Sequence, residues 1–431
     1  MSVRDERFHS APHRDVRDPR SEGRRDRDRI LYSSAFRRLA GITQVAPAND
    51  LHPIHNRLTH TLEVAQIGRS LAENLLRVEE NQTAISALGG LDPDVVEAAC
   101  LAHDLGHPPF GHVAEAELDD ILKNSKQVAD GYEGNPQTFR ILTKLAMRSP
   151  DHTGLNLTRA TLCAVLKYPW QRGPADTRAS KWGAYASEED EFRWAVGLLA
   201  EPEQRGLEAA LMDWADDVAY AVHDVEDFYR IGLIPLDRLT LYEEGRNRFV
   251  ESELRRNPAL AAYNRDDLAA AFNDIVAGSP IQEPYSGRKV DRYRLRMFTS
   301  SLVSRYVDAV TIDPTSKELR IPRAARMEVA IFKGLTWQYV IESRALIGQR
   351  YGHRTVIRSL FSIICEAGAS TRDRRILPEF YRELLDSDPT DKDIARIAAD
   401  LIASMTEAHV IVLHHRLTGI SMGASLDPIL P

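Results

Sequence analysis

"LAHDLGHPPFGHVAEAEL", residues 101–118, places three histidines and an aspartate within ten positions. His103 and Asp104 are adjacent at the end of an apolar helical run, "LDPDVVEAACLAHDLG" (residues 91–106). Asp92 is suited to cap that helix, Pro93 to open it and Gly106 to stop it. His107 and His112 follow across a Pro-Pro turn, and a new helix starts near Val113. The stretch reads in three ways: as a metal site, a chance run of polar loop residues, or a buried helix end with satisfied histidines. Adjacent helical residues point about 100° apart, so His103 and Asp104 share an ion only where the last turn loosens. Further ligands must then come from elsewhere in the chain.

Two other segments offer them. "NRLTHTLEVAQIGRSLAENLLRV" (residues 56–78) is an amphipathic helix with apolar residues at three- and four-residue steps. His60 lies three residues after Arg57, on the same face. A guanidinium there is suited to clamp phosphate, or to pair with a surface acid. "LMDWADDVAYAVHDVEDF" (residues 211–228) is mostly apolar and small, so it is expected to be buried. Asp216, Tyr220 and Asp224 nevertheless recur at four-residue spacing along one stripe. Carboxylates facing a core are costly without partners, so the stripe either faces solvent or meets a metal, a ligand's hydroxyls or a base. His60, His103, Asp104 and Asp216 together make two imidazoles and two carboxylates, a set suited to Mg²⁺, Mn²⁺, Fe²⁺, Co²⁺ or Zn²⁺. Asp217 competes for the last position, and Asp216 is preferred because it shares the stripe.

The rest of the chain sets the frame. With 431 residues it can bury a sizeable core. The net charge of -8 gives no overall support for nucleic-acid binding. The three cysteines are far apart and lack a CxxC pair, which favours a reducing, cytoplasmic location over a disulfide framework. No apolar run is long enough for a bilayer, and the charged N-terminus is no secretory signal. Residues 1–29 read as a charged arm, flexible or docked on a neighbouring subunit. Helices are expected over 136–147, 158–167, 189–200 and 206–230, and then over 236–255, 264–276, 295–309, 324–347, 353–367, 376–386 and 391–418. "SKELRIPR" (316–323) and the region of "PYSGRKVDRYRL" (284–295) read as a hairpin or extended loop. The class is mainly α. A loose boundary near residue 231 separates a core over 30–230 from a helical C-terminal region over 231–431.

At this point the chain resembles the HD-domain metal-dependent phosphohydrolases, and more narrowly the bacterial dGTPase-like deoxynucleoside triphosphate triphosphohydrolases. The stretches that carry the likeness are "RDRDRILYSSAFRRLAGITQV", "HNRLTHTLEVAQIGRSLA", "AACLAHDLGHPPFGHVAEAEL", "GYEGNPQTFRIL", "GLNLTRATLCAVLKYPW" and "WADDVAYAVHDVEDF". The resemblance implies an HD-type helical core and hydrolysis of a dNTP to deoxynucleoside and inorganic triphosphate. It implies that His60, His103, Asp104 and Asp216 hold a divalent metal, Mg²⁺ or Mn²⁺ first, with Co²⁺, Ni²⁺, Fe²⁺ and Zn²⁺ compatible. His112 and Glu115 correspond to the catalytic pair, with His107 beside the phosphates. Gln44, Tyr220 and Asp224 would meet the sugar, and Arg57, Lys167 and Tyr168 the triphosphate. Arg38 matches a position near the pocket. It also implies a homo-oligomer, often a hexamer, and in some members a dNTP activator. One departure is visible: where the family shows GHAGE this chain has GHVAE, so Ala114 replaces a glycine.

Overall fold

The computed structural model describes residues 2–10, 18–45, 54–174, 177–257, 260, 262–313, 315–316, 318–385 and 388–421. Among these, twenty α-helices and a single two-stranded hairpin form the chain, so the class is mainly α. Three helices make the heart of the first half: Arg57–Arg77, Pro93–Ala102 and Leu207–Arg230. Each begins where its sequence signals a start or a release. Asn56 and Thr59 form a reciprocal capping box, and the Asp92 side chain accepts from the Asp94 amide ahead of Pro93. The long helix starts after Gly206.

Close approach of the three helices depends on a small residue. A Cβ added at Gly68 would lie 2.4 Å from Cys100 Sγ and 3.6 Å from the Ala215 methyl. Gly68, Cys100 and Ala215 therefore fix the spacing at which the three polar faces can converge. Gly106 acts in the same way rather than as a left-handed helix stop. It is not among the positive-φ residues, and a Cβ there would meet Gly134 O at 2.1 Å. The helix before it has already ended at Ala102.

The N-terminal segment differs from the flexible-arm reading. Arg7 pairs with Glu22 and with fully buried Asp26, and Arg4 pairs with Glu208. A helix already runs from Glu22 to Leu31. The described part of the arm thus packs on its own chain, because burying Asp26 requires a cation. Residues 11–17 lie outside the described residues.

Later helices are more broken than their apolar patterns predict. The 324–347 stretch is Arg323–Thr336 and a π-helical turn, Trp337–Ile341, followed by a long helix Arg344–Ala369 that absorbs the 353–367 segment. The 391–418 stretch is two helices, Asp391–Ser404 and Glu407–Leu417, because Thr406 caps a fresh start. The 295–309 helix begins earlier, at Lys289, where Asp291 accepts from the Arg288 amide and guanidinium. The hairpin is short: Thr311–Ile312 pairs antiparallel with Leu319–Arg320.

Two apolar clusters hold the molecule. The larger runs from Ile30 to Val340 and so continues past residue 231. The smaller joins Ala114, Leu118 and Tyr132 to the helices Arg344–Ala369, Asp391–Ser404 and Glu407–Leu417. The helix His112–Asp120 therefore rests on the C-terminal region.

Candidate metal centre and active site

His60 projects from the first of the three helices, Asp216 from the third, and His103 and Asp104 from the end of the second. The ring of His103 is oriented by its own helix: Nδ1 lies 2.6 Å from the Cys100 carbonyl and donates to it. That leaves Nε2 facing the carboxylates, 3.4 Å from Asp104 Oδ1 and 3.6 Å from Asp216 Oδ1. His60 Nε2 stands 3.2 Å from Asp216 Oδ1. The loosened chain after Ala102 is what lets two adjacent residues reach one point. Asp217, the competing carboxylate, turns away and pairs with Lys333.

These residues fit a divalent cation. Ligand atoms of His60, His103 and Asp104 lie within 4.8 Å of one another. His103 Nε2 is buried without a hydrogen-bond partner, as a nitrogen kept for an ion would be. Mixed imidazole and carboxylate donors suit the first-row divalent metals and Mg²⁺. The electrostatics agree. Burial opposes charge on all three groups, yet Asp104 and Asp216 raise His103 to about 9. Arg57 and His103 hold Asp104 well below the usual carboxylate range, and His103 does the same for Asp216.

Beyond the Pro-Pro turn the histidines have other partners. His107 is half-buried, and desolvation together with Arg57 lowers it to about 4. Its Nδ1 lies 3.0 Å from Asp104 Oδ1, out of hydrogen-bond alignment. His112 begins the next helix, after Phe110 and Gly111 in left-handed conformation, φ 68° and 57°. Its side chain is 74% exposed, and Nδ1 lies 2.6 Å from Glu115 Oε2. Glu115 Oε1 accepts from the Gly134 amide at 3.0 Å. Burial opposes the charge of Glu115, but His112 and His107 hold it well below the carboxylate range. An exposed imidazole backed by a fixed carboxylate can take and give a proton.

Both groups open on a cavity of about 300 Å³. Its wall includes Gln44, Arg57, His103, Asp104, His107, His112, Lys167, Tyr168, Asp216 and Tyr220. His60 and Glu115 stand behind the wall. Asp224 is also off it: this carboxyl is buried, its Oδ2 lacks a hydrogen-bond partner, and burial with Asp227 raises it well above the usual range. Arg57 gives Nη1 to Asp104 Oδ2 at 2.6 Å. Lys167 Nζ lies 2.5 Å from Asp213 and 3.6 Å from Asp216. Arg38 is not on the wall. It donates to the carbonyls of Leu105, His107 and Met405, and so braces the turn from behind.

Several wall residues escaped the sequence reading. Asn135 stands in the first turn of the short helix Gly134–Arg140, and Lys181 sits on an irregular segment with no periodic signal. Lys181 Nζ lies 2.5 Å from Glu133 and 3.7 Å from Glu115. Gln349, Arg350, His353 and Glu407 come from the C-terminal region. Ala114 is fully buried within the smaller apolar cluster. The methyl that departs from the family pattern is absorbed by that packing.

Residues 57–221 match the HD domain, and residues 319–416 match the phosphohydrolase-associated domain. Similar proteins include deoxyguanosinetriphosphate triphosphohydrolase-like proteins from three bacteria. That of Streptomyces coelicolor is 38% identical over 95% of both chains. That of Bifidobacterium longum is 34% identical over 92% of this chain and 83% of its own. That of Vibrio parahaemolyticus is 30% identical over 93% of this chain and 94% of its own. No helix among the described residues is long and apolar enough to cross a membrane. A largely enclosed His/Asp cluster able to hold a metal, beside exposed His112 and its buried partner Glu115, thus sits in a chain that belongs to the deoxyguanosinetriphosphate triphosphohydrolase-like family of HD-domain phosphohydrolases.

Proposed function

We propose that the protein hydrolyses deoxynucleoside triphosphates, dGTP-like substrates first, to deoxynucleoside and inorganic triphosphate. The observation that carries this reading is the composition of one wall. His103, Asp104 and Asp216 of the His/Asp cluster, His112 backed by Glu115, the cations Arg57, Lys167 and Lys181, and Tyr220 all border a single cavity. A triphosphate carries several negative charges, and a chain of net charge -8 binds it only where cations are gathered locally.

His60, His103, Asp104 and Asp216 would hold a divalent ion, Mg²⁺ or Mn²⁺ first. When bound, such an ion supplies Lewis-acid polarisation of a phosphoryl oxygen. The remaining work falls to the chain's own residues. Arg57, Lys167 and Lys181 hold the phosphates, with Tyr168 and half-buried His107 beside them. Water adds to the α-phosphorus as the bond to the 5'-oxygen of the deoxynucleoside breaks. His112 moves a proton at Nε2, steadied through Nδ1 by Glu115. Tyr220 and Gln44 border the sugar, and the Tyr220 ring leaves little room for a 2'-hydroxyl. Asp224 reaches the 3'-hydroxyl only after a shift of its buried side chain toward the cavity. A homo-oligomer, with a dNTP as activator, belongs to the same proposal, as does action in the cytoplasm.

The test is incubation with each of the four dNTPs, singly and mixed, with Mg²⁺ or Mn²⁺, scoring deoxynucleoside and triphosphate. Release of both supports the reading, and activity confined to mixtures reveals an activator. Release of monophosphate or single phosphate assigns a different phosphohydrolase. Asp104→Ala should abolish turnover; full activity of that purified variant would overturn the metal assignment.

A further inference from the structure

Glu407 opens the helix Glu407–Leu417 of the C-terminal region and lies in the wall of the cavity. Its carboxylate joins two segments that are far away in sequence. Oε1 accepts from the Thr43 amide at 3.0 Å and Oε2 from the Thr43 hydroxyl at 2.8 Å. Oε1 also accepts from the Phe110 amide at 3.2 Å. Thr43 immediately precedes Gln44, on the sugar side of the cavity. Phe110 and Gly111 immediately precede His112, and both hold positive φ. For a phenylalanine that conformation is uphill and persists only when its surroundings fix it. Glu407 fixes the Phe110 amide, and His353 stacks on the Phe110 ring with centroids 4.0 Å apart and planes within 10°. Thr406, one residue earlier, lies against Gly41: a Cβ added at Gly41 would come within 2.7 Å of the Thr406 side chain.

We infer that Glu407 is a positioning residue: it locks the Thr43–Gln44 loop and the Phe110–His112 turn into one register, so that the sugar edge and the proton-transfer pair face the same substrate. A carboxylate serves this because its two oxygens accept from donors on two sides at once. The C-terminal region is then part of the catalytic apparatus without contributing a reacting group. The inference deepens the hydrolase reading and rests on it for its kinetic consequences, though not for its structural ones.

The experiment compares the full-length protein with Glu407→Ala and Glu407→Gln by hydrogen exchange and by kinetics with dGTP, GTP and Mn²⁺. In Glu407→Ala, amide exchange rises together over residues 41–45 and 107–112 while the Pro93–Ala102 helix is unchanged. Turnover falls about 10–100-fold, as for loss of other groups that orient reacting residues, with KM and metal stoichiometry held. The preference for dGTP over GTP narrows, since the sugar loop has come free. Glu407→Gln keeps one acceptor oxygen and falls between; it also carries the test if the alanine variant does not fold. Unchanged exchange in either segment overturns the inference, and so does loosened exchange with wild-type turnover and selectivity. If the wild-type protein hydrolyses no dNTP, the hydrolase reading fails by itself, and the exchange data alone decide the role of Glu407.

Discussion

Arg57 Nη1 and Asp104 Oδ2 stand 2.6 Å apart, with only 4% and 5% of their side chains exposed. This ion pair ties the start of one helix to the end of another, directly beside the proposed metal position. It also divides the duty of Arg57 between a carboxylate and the cavity, where the sequence alone offered a phosphate clamp or a surface pair. Removing one partner of a buried pair leaves the other charge uncompensated. Arg57→Ala is therefore expected to destabilise the metal-free protein by about 3–5 kcal/mol. An ion bound at Asp104 would supply the missing positive charge, so the loss should shrink when Mn²⁺ replaces EDTA. Urea unfolding of both proteins in both buffers reads this directly. An equal loss in the two buffers would separate Asp104 from the metal.

The proton-transfer pair makes a narrower prediction. Glu115 touches His112 Nδ1 and the Gly134 amide but not the cavity. Glu115→Gln should keep its shape and its bond to Gly134, while losing the charge that supports an imidazolium. Turnover is expected to drop by about 10²-fold, within the usual range for general acid–base catalysis, with bound Mn²⁺ per chain unchanged. Wild-type turnover in this variant would remove the pair from the mechanism.

The parts of the site that were legible in sequence are those carried by long helices. His60, His103, Asp104 and Asp216 stand out because charged groups within apolar helices demand partners, and the helical period says which residues share a face. The family resemblance added His107, His112 and Glu115. Lys181 left no such trace, since an irregular segment has no period against which a polar residue looks misplaced, and Asn135 in the first turn of a short helix is a polar residue where one is ordinary. Glu407 lies 297 residues from Phe110, and no local pattern announces a contact across that distance. The same limit explains the broken helices. The apolar spacing over 391–418 is continuous enough to suggest one helix, whereas Thr406 capping a new start is a local choice that periodicity averages away. The N-terminal arm looked solvated because its charges were read singly; paired as Arg7 with Asp26 they are a buried anchor.

The spacing of the three core helices can be tested at Gly68. An added methyl would sit 2.4 Å from Cys100 Sγ and 3.2 Å from Val96, inside the contact distance of either. Gly68→Ala should destabilise the protein by about 1–3 kcal/mol through overpacking, despite the better helix propensity of alanine. Cys100→Ala removes the atom most directly in the way. The double variant should then recover part of the loss, a coupling that two independent sites would not show. Thermal unfolding of the four proteins completes the cycle, and additive effects would mean that Gly68 and Cys100 do not limit the helix approach.

A second charged network, away from the metal position, predicts how stability changes with pH. His55 Nδ1 lies 2.6 Å from Asp227 and Nε2 lies 2.9 Å from Glu63, which also meets His223 Nδ1 at 2.5 Å. Burial pulls His55 downward, but its hydrogen bonds to Asp227 and Glu63 prevail and raise it to about 10. Burial likewise opposes the charge of Glu63, yet His223 and His55 lower it to about 2. A histidine raised on folding stabilises fully below its unfolded pKa of about 6.5, and that contribution fades as pH climbs through the folded value. A glutamate lowered on folding stabilises above about 4.3 and loses that contribution as pH falls through its folded value. The network should therefore contribute most between about pH 4.5 and 6.5. With His55 partly exposed, His55→Ala is expected to cost roughly 2 kcal/mol at pH 6, between an exposed and a fully buried pair. The cost should decline steadily toward pH 10. Urea unfolding of both proteins at pH 6 and pH 9.5 measures the difference; an identical cost at the two pH values would mean that the ring contributes packing and no charge.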